Sequence, residues 1–408
     1  MMRTGWPLIL GSIALLGAGA IAAAPKKPVA SVPVPAPKPV AGLQPKARYA
    51  MDVGTTTGLA GLAGGGAGAA MSMMFGGGGR ETRELHLRLG STMVATGAPI
   101  ADHFFLPAAK LGKSVPLVTP VQGTSREEPG QMPREFQRPK GRLLLYWGCG
   151  THATKGQPAI IDFSKIGSGQ PMPNLYSARI PSDRGPSATN SRTYGEWPNA
   201  KSGKQPQSGS LIGNHRISST YAPEIQFALA QDYLAGLHGQ TSPAADGAFN
   251  LNWNSVPAAT GYYAWVMGMK MDGGGADGPR DMVWWSSSSG REFGGGLFEW
   301  LSPSIVQQLI ADRTVMPPSQ TSCTVPAEVK AAAPDFMLGN LYAYGPETNI
   351  AFPPRPATGV WIPEWTARIR FRSTTSWMIG GPMAQSGPGE TGKPCKPSLF
   401  GAVTGLGC

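Results

Sequence analysis

The sequence predicts a mainly β protein with two tandem β-sandwich-like domains behind a disordered N-terminal region rich in Pro and Gly. The chain of 408 residues holds 56 Gly and 40 Pro, residue types that interrupt helices. Only 14% of its residues are charged and 41% are apolar, which argues against a coiled coil and against a highly charged disordered chain. Short runs of alternating apolar and polar residues recur between turn-rich segments, as is typical of strands. The length favours two domains, because single cores stop growing near roughly 250–300 residues.

Residues 1–22 have the layout of a cleavable export signal. Arg3 precedes an apolar run, and the small residues Ala20 and Ala22 form a typical cleavage site. An uncleaved membrane anchor is the alternative, but the run is short and diluted by Gly and Ala compared with the ~20 apolar residues that a span needs. We therefore expect cleavage after Ala22, no transmembrane segment in the mature protein, and a periplasmic or extracellular location.

Two low-complexity segments follow the signal. Residues 23–50 contain seven Pro and five basic residues without an acid, which predicts an extended basic linker. Residues 51–80 are Gly-rich, which predicts a flexible segment. The linker carries about half of the positive net charge, which is +11 for the whole chain. In an exported protein this charge favours an anionic envelope polymer or polysaccharide as partner rather than nucleic acid, for which no binding motif is present.

The sequence pattern of residues 81–240 predicts the first sandwich-like domain. Leu85, Leu87 and Leu89 alternate with polar residues, the pattern of a half-buried strand. A polar, turn-rich stretch over 181–209 reads as long loops. Further short strands are expected at residues 115–118, 142–147, 159–163, 216–220 and 225–229.

Residues 241–385 predict the second sandwich-like domain, and a Pro/Gly-rich tail follows over 386–408. The segment LNWNSVPAATGYYAWVMG, residues 251–268, resembles the second and third strands of bacterial fibronectin type III domains. The resemblance implies that Trp253 and Tyr262 pack between two sheets. Beyond this segment the chain departs from that family, since residues 302–313 predict a short helix that begins at Ser302. As a whole the chain is similar to an uncharacterised group of exported bacterial proteins, which implies no activity.

Four cysteines form an even set, which predicts disulfides in an exported protein. Three pairings are possible. Cys395 and Cys408 lie close together in the tail, which favours a short loop closure and leaves Cys149 and Cys323 to join the two halves. A metal site at Cys149 would lack further ligands at metal-binding spacing, so the disulfide is the preferred interpretation.

No catalytic, cofactor or metal site is predicted, because the sequence has no nucleophile elbow, Walker loop or zinc-protease motif. Asp272, Asp277 and Asp281 lie in a Gly-rich loop that matches no calcium-binding motif. We therefore expect this loop to form a hairpin turn. Eight of the eleven Trp follow residue 240. Trp284 and Trp285 are adjacent on a predicted strand, so one of them should point away from the core and is a candidate for a ligand contact. The alternative is that these Trp side chains pack the core and the contacts between domains.

These observations predict a non-catalytic, exported structural or binding protein of a bacterial cell envelope. One alternative is a carbohydrate-binding or carbohydrate-active protein that uses the Trp-rich second domain. A surface adhesion or assembly subunit with exposed strand edges is another. The sequence leaves open the ligand, the oligomeric state and whether any catalytic activity exists.

Overall fold

The computed structural model describes residues 44–59, 81–120, 141–163, 165, 174–181, 183–199, 206, 208–270 and 281–380. Within these residues it contains sixteen strands and two α-helices, which confirms the mainly β prediction. The predicted export signal, residues 23–43 of the predicted linker and the C-terminal tail lie outside the described residues. So does the loop over 271–280, which includes Asp272 and Asp277.

The strands make up three sheets, and the helices lie late in the chain. The helices are α1 (Pro303–Ala311) and α2 (Ala327–Ala332). The strands are β1 (Ala47–Gly58), β2 (Thr82–Ser91), β3 (Ala101–Phe104), β4 (Ser114–Pro116), β5 (Arg142–Trp147), β6 (Ala159–Asp162), β7 (Thr193–Trp197), β8 (Gly213–Ser219), β9 (Ile225–Leu229), β10 (Gly239–Pro243), β11 (Phe249–Trp253), β12 (Gly261–Lys270), β13 (Asp281–Ser286), β14 (Ser322–Val325), β15 (Phe336–Phe352) and β16 (Trp365–Ile379).

The largest sheet has nine strands in the order β6-β5-β13-β12-β15-β16-β1-β2-β7. Its neighbouring strands are antiparallel except for the pairs β1 with β16 and β5 with β13. The two small sheets have the orders β4-β3-β8-β9 and β10-β11-β14.

The main core lies between one face of the large sheet and both small sheets. Strand β16 shows how the sequence builds it, because Ala367, Ile369 and Phe371 alternate along the strand and are buried. The core also takes Ile217 from the four-stranded sheet and Leu251 from the three-stranded sheet. Burial of these alternating apolar side chains fixes the register of the large sheet.

The other face of the large sheet is covered in part by helix α1. Val306 and Leu309 of this helix are buried in one cluster with Tyr263 of β12 and Tyr344 of β15. The helix begins as the sequence predicts, with the Ser302 hydroxyl accepting a hydrogen bond from the Ile305 amide.

The predicted domain boundary at residue 240 does not separate the sheets. The large sheet takes β1, β2, β5, β6 and β7 from before this position and β12, β13, β15 and β16 from after it. Strand β1 also corrects the prediction of a linker over 23–50 and a flexible segment over 51–80, since residues 47–58 form a strand inside the large sheet. The reason is long-range pairing: β1 lies beside β16, with Ala47 opposite Trp365.

The disulfide between Cys149 and Cys323 confirms the pairing that the sequence favours for these two cysteines. Cys149 follows β5 of the large sheet, and Cys323 lies in β14 of the three-stranded sheet. The bond therefore joins two layers of the fold across a sequence separation of 174 residues. Cys395 and Cys408 lie outside the described residues.

Candidate functional site

Trp284 and Trp285 face opposite sides of the large sheet, but neither side is open to solvent. Trp285 is buried in the main core, where its indole Nε1 donates to the Gly148 carbonyl at 3.0 Å. Trp284 is buried on the other side, 5.2 Å from the Phe293 ring between centroids. The prediction that one of the two contacts a ligand is therefore corrected, because β13 is covered by packed residues on both faces.

Trp253 and Tyr262 are core residues, as predicted. Trp253 is 6% exposed and Tyr262 is fully buried, and their rings lie 5.7 Å apart between centroids. They come from different sheets, β11 and β12, and the Tyr262 hydroxyl accepts a hydrogen bond from the Val256 amide. The resemblance to fibronectin type III domains stays a prediction.

The remaining candidates of the sequence do not assemble into a reactive site. Cys149 is oxidised, and His152 lies beside the Glu328 carboxylate at 3.2 Å. Asp281 forms an ion pair with Arg142. In the part of the chain that the structure describes, no three His, Cys, Asp or Glu side chains come together as a metal site. No helix there is both long and apolar enough to cross a membrane.

A cleft of about 720 Å³ opens on the large sheet, near the end where β1 and β16 begin. Sequence reasoning did not find this site. Its walls come from β1, β15, β16, the segment around residue 185 and the loop between β15 and β16. The lining residues are Arg48, Tyr49, Arg184, Gly185, Pro186, Asn349, Ile350, Ala351, Pro354, Arg355, Trp361, Thr366, Ala367 and Arg368. We call it the arginine cleft.

Strand register brings two of the four arginines together. Arg48 of β1 lies opposite Thr366 of β16, and Arg368 lies opposite Ala50 two residues further along. Because side chains alternate along a strand, Arg48 and Arg368 belong to the same face of the sheet. This is the face opposite the main core, in which the intervening Tyr49 and Ala367 are buried.

The arginine cleft concentrates positive charge, and none of its lining residues is acidic. Arg368 forms an ion pair with Asp183 at 2.6 Å. Arg48 instead donates to neutral oxygens, the carbonyls of Arg184 and Asn190 and the Asn190 side chain, at 2.7–3.2 Å. Burial and the nearby charge of Arg368 lower the pKa of Arg48. An anion in the cleft would relieve this repulsion.

One wall of the cleft is a loop that combines an aromatic face with a cation. The Arg355 guanidinium lies 5.4 Å from the centroid of the Trp361 ring. The Trp361 indole donates to the Pro353 carbonyl at 3.0 Å, and the Glu364 amide donates to the Phe352 carbonyl at 2.6 Å. Four Pro among residues 353–364 restrict the backbone further. The wall is thus held in place without a ligand.

Beside the cleft the same face of the sheet carries an ion-pair network. Asp52 is buried and lies 2.7 Å from both Arg88 and Arg370. Burial acts to raise the pKa of Asp52, but the charges and hydrogen bonds of Arg370 and Arg88 outweigh it and lower the pKa. The members of the ion-pair network are Asp52, Glu84, Arg88, Asp183, Arg368, Arg370 and Arg372.

The ion-pair network also positions a wall of the arginine cleft. Asp183 accepts hydrogen bonds from Arg88, Arg368 and Arg370 at 2.6–3.2 Å. The next three residues, 184–186, line the cleft. Arginines of β2 and β16 therefore hold the segment that supplies Arg184.

Behind the cleft, a hydrogen-bonded chain links the large sheet to the four-stranded sheet. Tyr49 lies 2.5 Å from His103 Nδ1, His103 Nε2 lies 2.9 Å from His215 Nδ1, and His215 Nε2 donates to the Leu211 carbonyl at 2.7 Å. With neutral His103 and His215 both protonated at Nε2, Tyr49 donates to His103, His103 donates to His215, and His215 donates to the Leu211 carbonyl. Burial and the neighbouring His215 lower the pKa of His103 well below its ordinary value. Since His103 is fully buried, it ties the two layers together and does not face solvent.

No model of a known protein family matches this chain, and no curated protein matches it significantly. The chemistry of the arginine cleft is therefore the basis for a proposed function.

Proposed function

We propose that the protein is a non-catalytic, exported binding component of a bacterial cell envelope that holds an anionic group of an envelope polymer in the arginine cleft. The observation that carries the proposal is the convergence of four arginines on one cleft without a lining carboxylate: Arg48, Arg184, Arg355 and Arg368, of which Arg368 is already paired with Asp183. Export follows from the signal layout of residues 1–22.

Arginine suits this task because its planar guanidinium donates two parallel hydrogen bonds to a carboxylate or a phosphate. Arg48, Arg184 and Arg355 all line the cleft, so an anionic group bound there lies near several cations. The Arg48 side chain is held by hydrogen bonds to fixed oxygens, which lowers the entropy lost on binding.

Trp361 favours a polysaccharide as the polymer that carries the anion. A Trp ring on the wall of a cleft can stack on the apolar face of a sugar while arginines bind its acidic substituent. Because Trp284 and Trp285 are buried, Trp361 replaces them as the aromatic residue of the carbohydrate-binding alternative. The alternative of a surface adhesion or assembly subunit has less support. It requires exposed strand edges that pair between chains, and the edge strand β6 is short.

Binding of polygalacturonate, measured by titration calorimetry, tests the proposal. We expect the wild-type protein to bind it with an affinity that falls as salt increases, and to bind neutral dextran far more weakly. Replacing Arg184 and Arg355 with Ala should weaken binding on the order of tenfold or more, because two charge-assisted contacts are lost.

Arg291→Ala is the matched control, since Arg291 is exposed and does not line the cleft. This variant should bind polygalacturonate like the wild type. Equal affinity of the double variant and the wild type, or no binding by the wild type, would overturn the proposal.

A further inference from the structure

The same end of the large sheet that carries the arginine cleft also exposes apolar side chains. Among the described residues, nine large hydrophobic side chains are exposed, and five of them belong to this end. We call these five the apolar rim. The apolar rim consists of Met93, Val94, Phe352, Val360 and Ile362.

Strand register places the whole apolar rim at one end of the large sheet. Ala47, at the start of β1, lies opposite both Trp365 of β16 and Ser91 of β2. Phe352, at the end of β15, also lies opposite Trp365. The loop over 353–364 and the segment after Ser91 therefore leave the sheet at the same end, a few strands apart. Thr193 of β7 ties the second segment down by donating to the Met93 carbonyl at 2.8 Å.

The loop over 353–364 carries the most exposed members of the apolar rim. Val360 is 69% exposed and Ile362 is 47% exposed, on either side of Trp361. The sequence from residue 348 to residue 363 contains no Asp or Glu. The loop thus combines a stiff backbone, protruding aliphatic side chains, an indole between them and arginine at its base.

We propose that this end of the protein docks on the surface of a bilayer that contains anionic lipids, with Val360 and Ile362 entering the boundary between headgroups and acyl chains while the arginine cleft receives a lipid phosphate. The inference rests on the proposed function only for the anion-binding capacity of the arginine cleft, and it adds a lipid headgroup as a second source of the anion.

Charge complementarity selects a membrane over a protein partner. Arginines next to protruding aliphatic residues match a surface that is anionic at the headgroups and apolar just beneath them. Trp361 suits the interface between these two layers, where indole rings are enriched. The apolar residues project on a loop rather than lining a groove, so they are suited to insertion into a fluid layer.

Co-sedimentation of the full chain with vesicles tests the proposal. We expect binding to vesicles of equal parts phosphatidylglycerol and phosphatidylcholine, and little binding to vesicles of phosphatidylcholine alone. Val360→Ser with Ile362→Ser should reduce partitioning on the order of tenfold or more, since insertion loses its apolar contacts. Polygalacturonate binding by this variant should remain at the wild-type level, because neither residue lines the cleft.

A matched pair of single variants controls for the loss of any exposed isoleucine. Ile362→Ser should weaken vesicle binding, whereas Ile160→Ser should not, since Ile160 is similarly exposed at 54% but lies on the edge strand β6. Equal effects of the two variants would overturn the inference.

The remaining outcomes separate the inference from the proposed function. Binding to polygalacturonate without binding to anionic vesicles would overturn membrane docking and leave the proposed function standing. Loss of both would overturn both. A wild-type dimer that Val360→Ser with Ile362→Ser converts to a monomer, with no vesicle binding, would show that a second copy covers the apolar rim.

Discussion

Two groups of arginines lie on one face of the large sheet and have opposite surroundings. In the ion-pair network, Arg370 has Asp52 and Asp183 as partners and also donates to the Trp300 carbonyl at 2.6 Å. In the arginine cleft, Arg48 donates only to neutral oxygens among the described residues. Carboxylates thus neutralise the arginines of the ion-pair network, including Arg368, whereas Arg48 of the cleft has neutral acceptors.

The two regions also differ in how tightly their arginines are enclosed. Arg372 stacks on the Trp300 ring at 3.4 Å, pairs with Glu84 and donates to the Phe298 carbonyl. Arg184 and Arg355 are exposed. Stability should therefore depend on the ion-pair network, and ligand binding on the arginine cleft.

Removal of Arg370 should produce the largest effect on stability. Arg370→Ala leaves the buried Asp52 carboxylate with one partner fewer and should cost about 3–5 kcal/mol in the free energy of unfolding. Urea denaturation of the full chain measures this loss. Arg216→Ala is the control, because the exposed pair of Arg216 with Glu224 should contribute no more than about 1 kcal/mol. Equal costs for the two variants would contradict the contrast between buried and exposed arginines.

Acid should weaken the ion-pair network through Glu84. Burial opposes ionisation of this carboxyl, but Arg372 and His86 outweigh it and lower its pKa from 4.5 to about 2. Since the pKa is depressed in the folded state, the stabilisation is complete above 4.5 and disappears as pH falls through about 2.

We therefore expect Glu84→Gln to be less stable than the wild type at neutral pH, with a difference that shrinks as the pH approaches 2. Urea denaturation at several pH values follows this difference. A gap between wild type and variant that stays constant across the acid range would show that ionised Glu84 adds no stability.

The smallest effect on stability is expected in the cleft. Arg184→Ala should change the free energy of unfolding by less than about 0.5 kcal/mol, because its side chain is exposed and opens no core. Thermal melting of this variant beside the wild type is the measurement. A large drop in melting temperature would mean that Arg184 supports the fold, and the division between the two regions would then fail.

Local patterns in the sequence predicted the elements that depend on local chemistry. The alternation of Leu85, Leu87 and Leu89 indicated strand β2, and Ser302 indicated the start of α1. The sequence also favoured the pairing of Cys149 with Cys323. Each of these predictions depends on residues that are neighbours in the chain or, for the disulfide, on a choice among three possible pairings.

Features that depend on distant partners were missed. Arg48 was assigned to the linker because Pro and Lys dominate its surroundings, although Tyr49, Met51 and Val53 alternate as a strand would. The opposite orientations of Trp284 and Trp285 were predictable, but part of what covers β13 is remote in sequence, such as Leu175 in the cluster around Trp284. The arginine cleft draws its walls from three separate parts of the chain, around residues 48, 185 and 349–368, so no local window contains it.

The parallel pairing of β1 with β16 makes the large sheet depend on a contact between distant parts of the chain. Asp52 of β1 and its partner Arg370 of β16 are 318 positions apart. Until β16 joins the sheet, one edge of β1 and one edge of β15 lack their partner strand. Before that step Asp52 can pair with Arg88 of β2 but not with Arg370, and the arginine cleft lacks the strand that supplies Arg368.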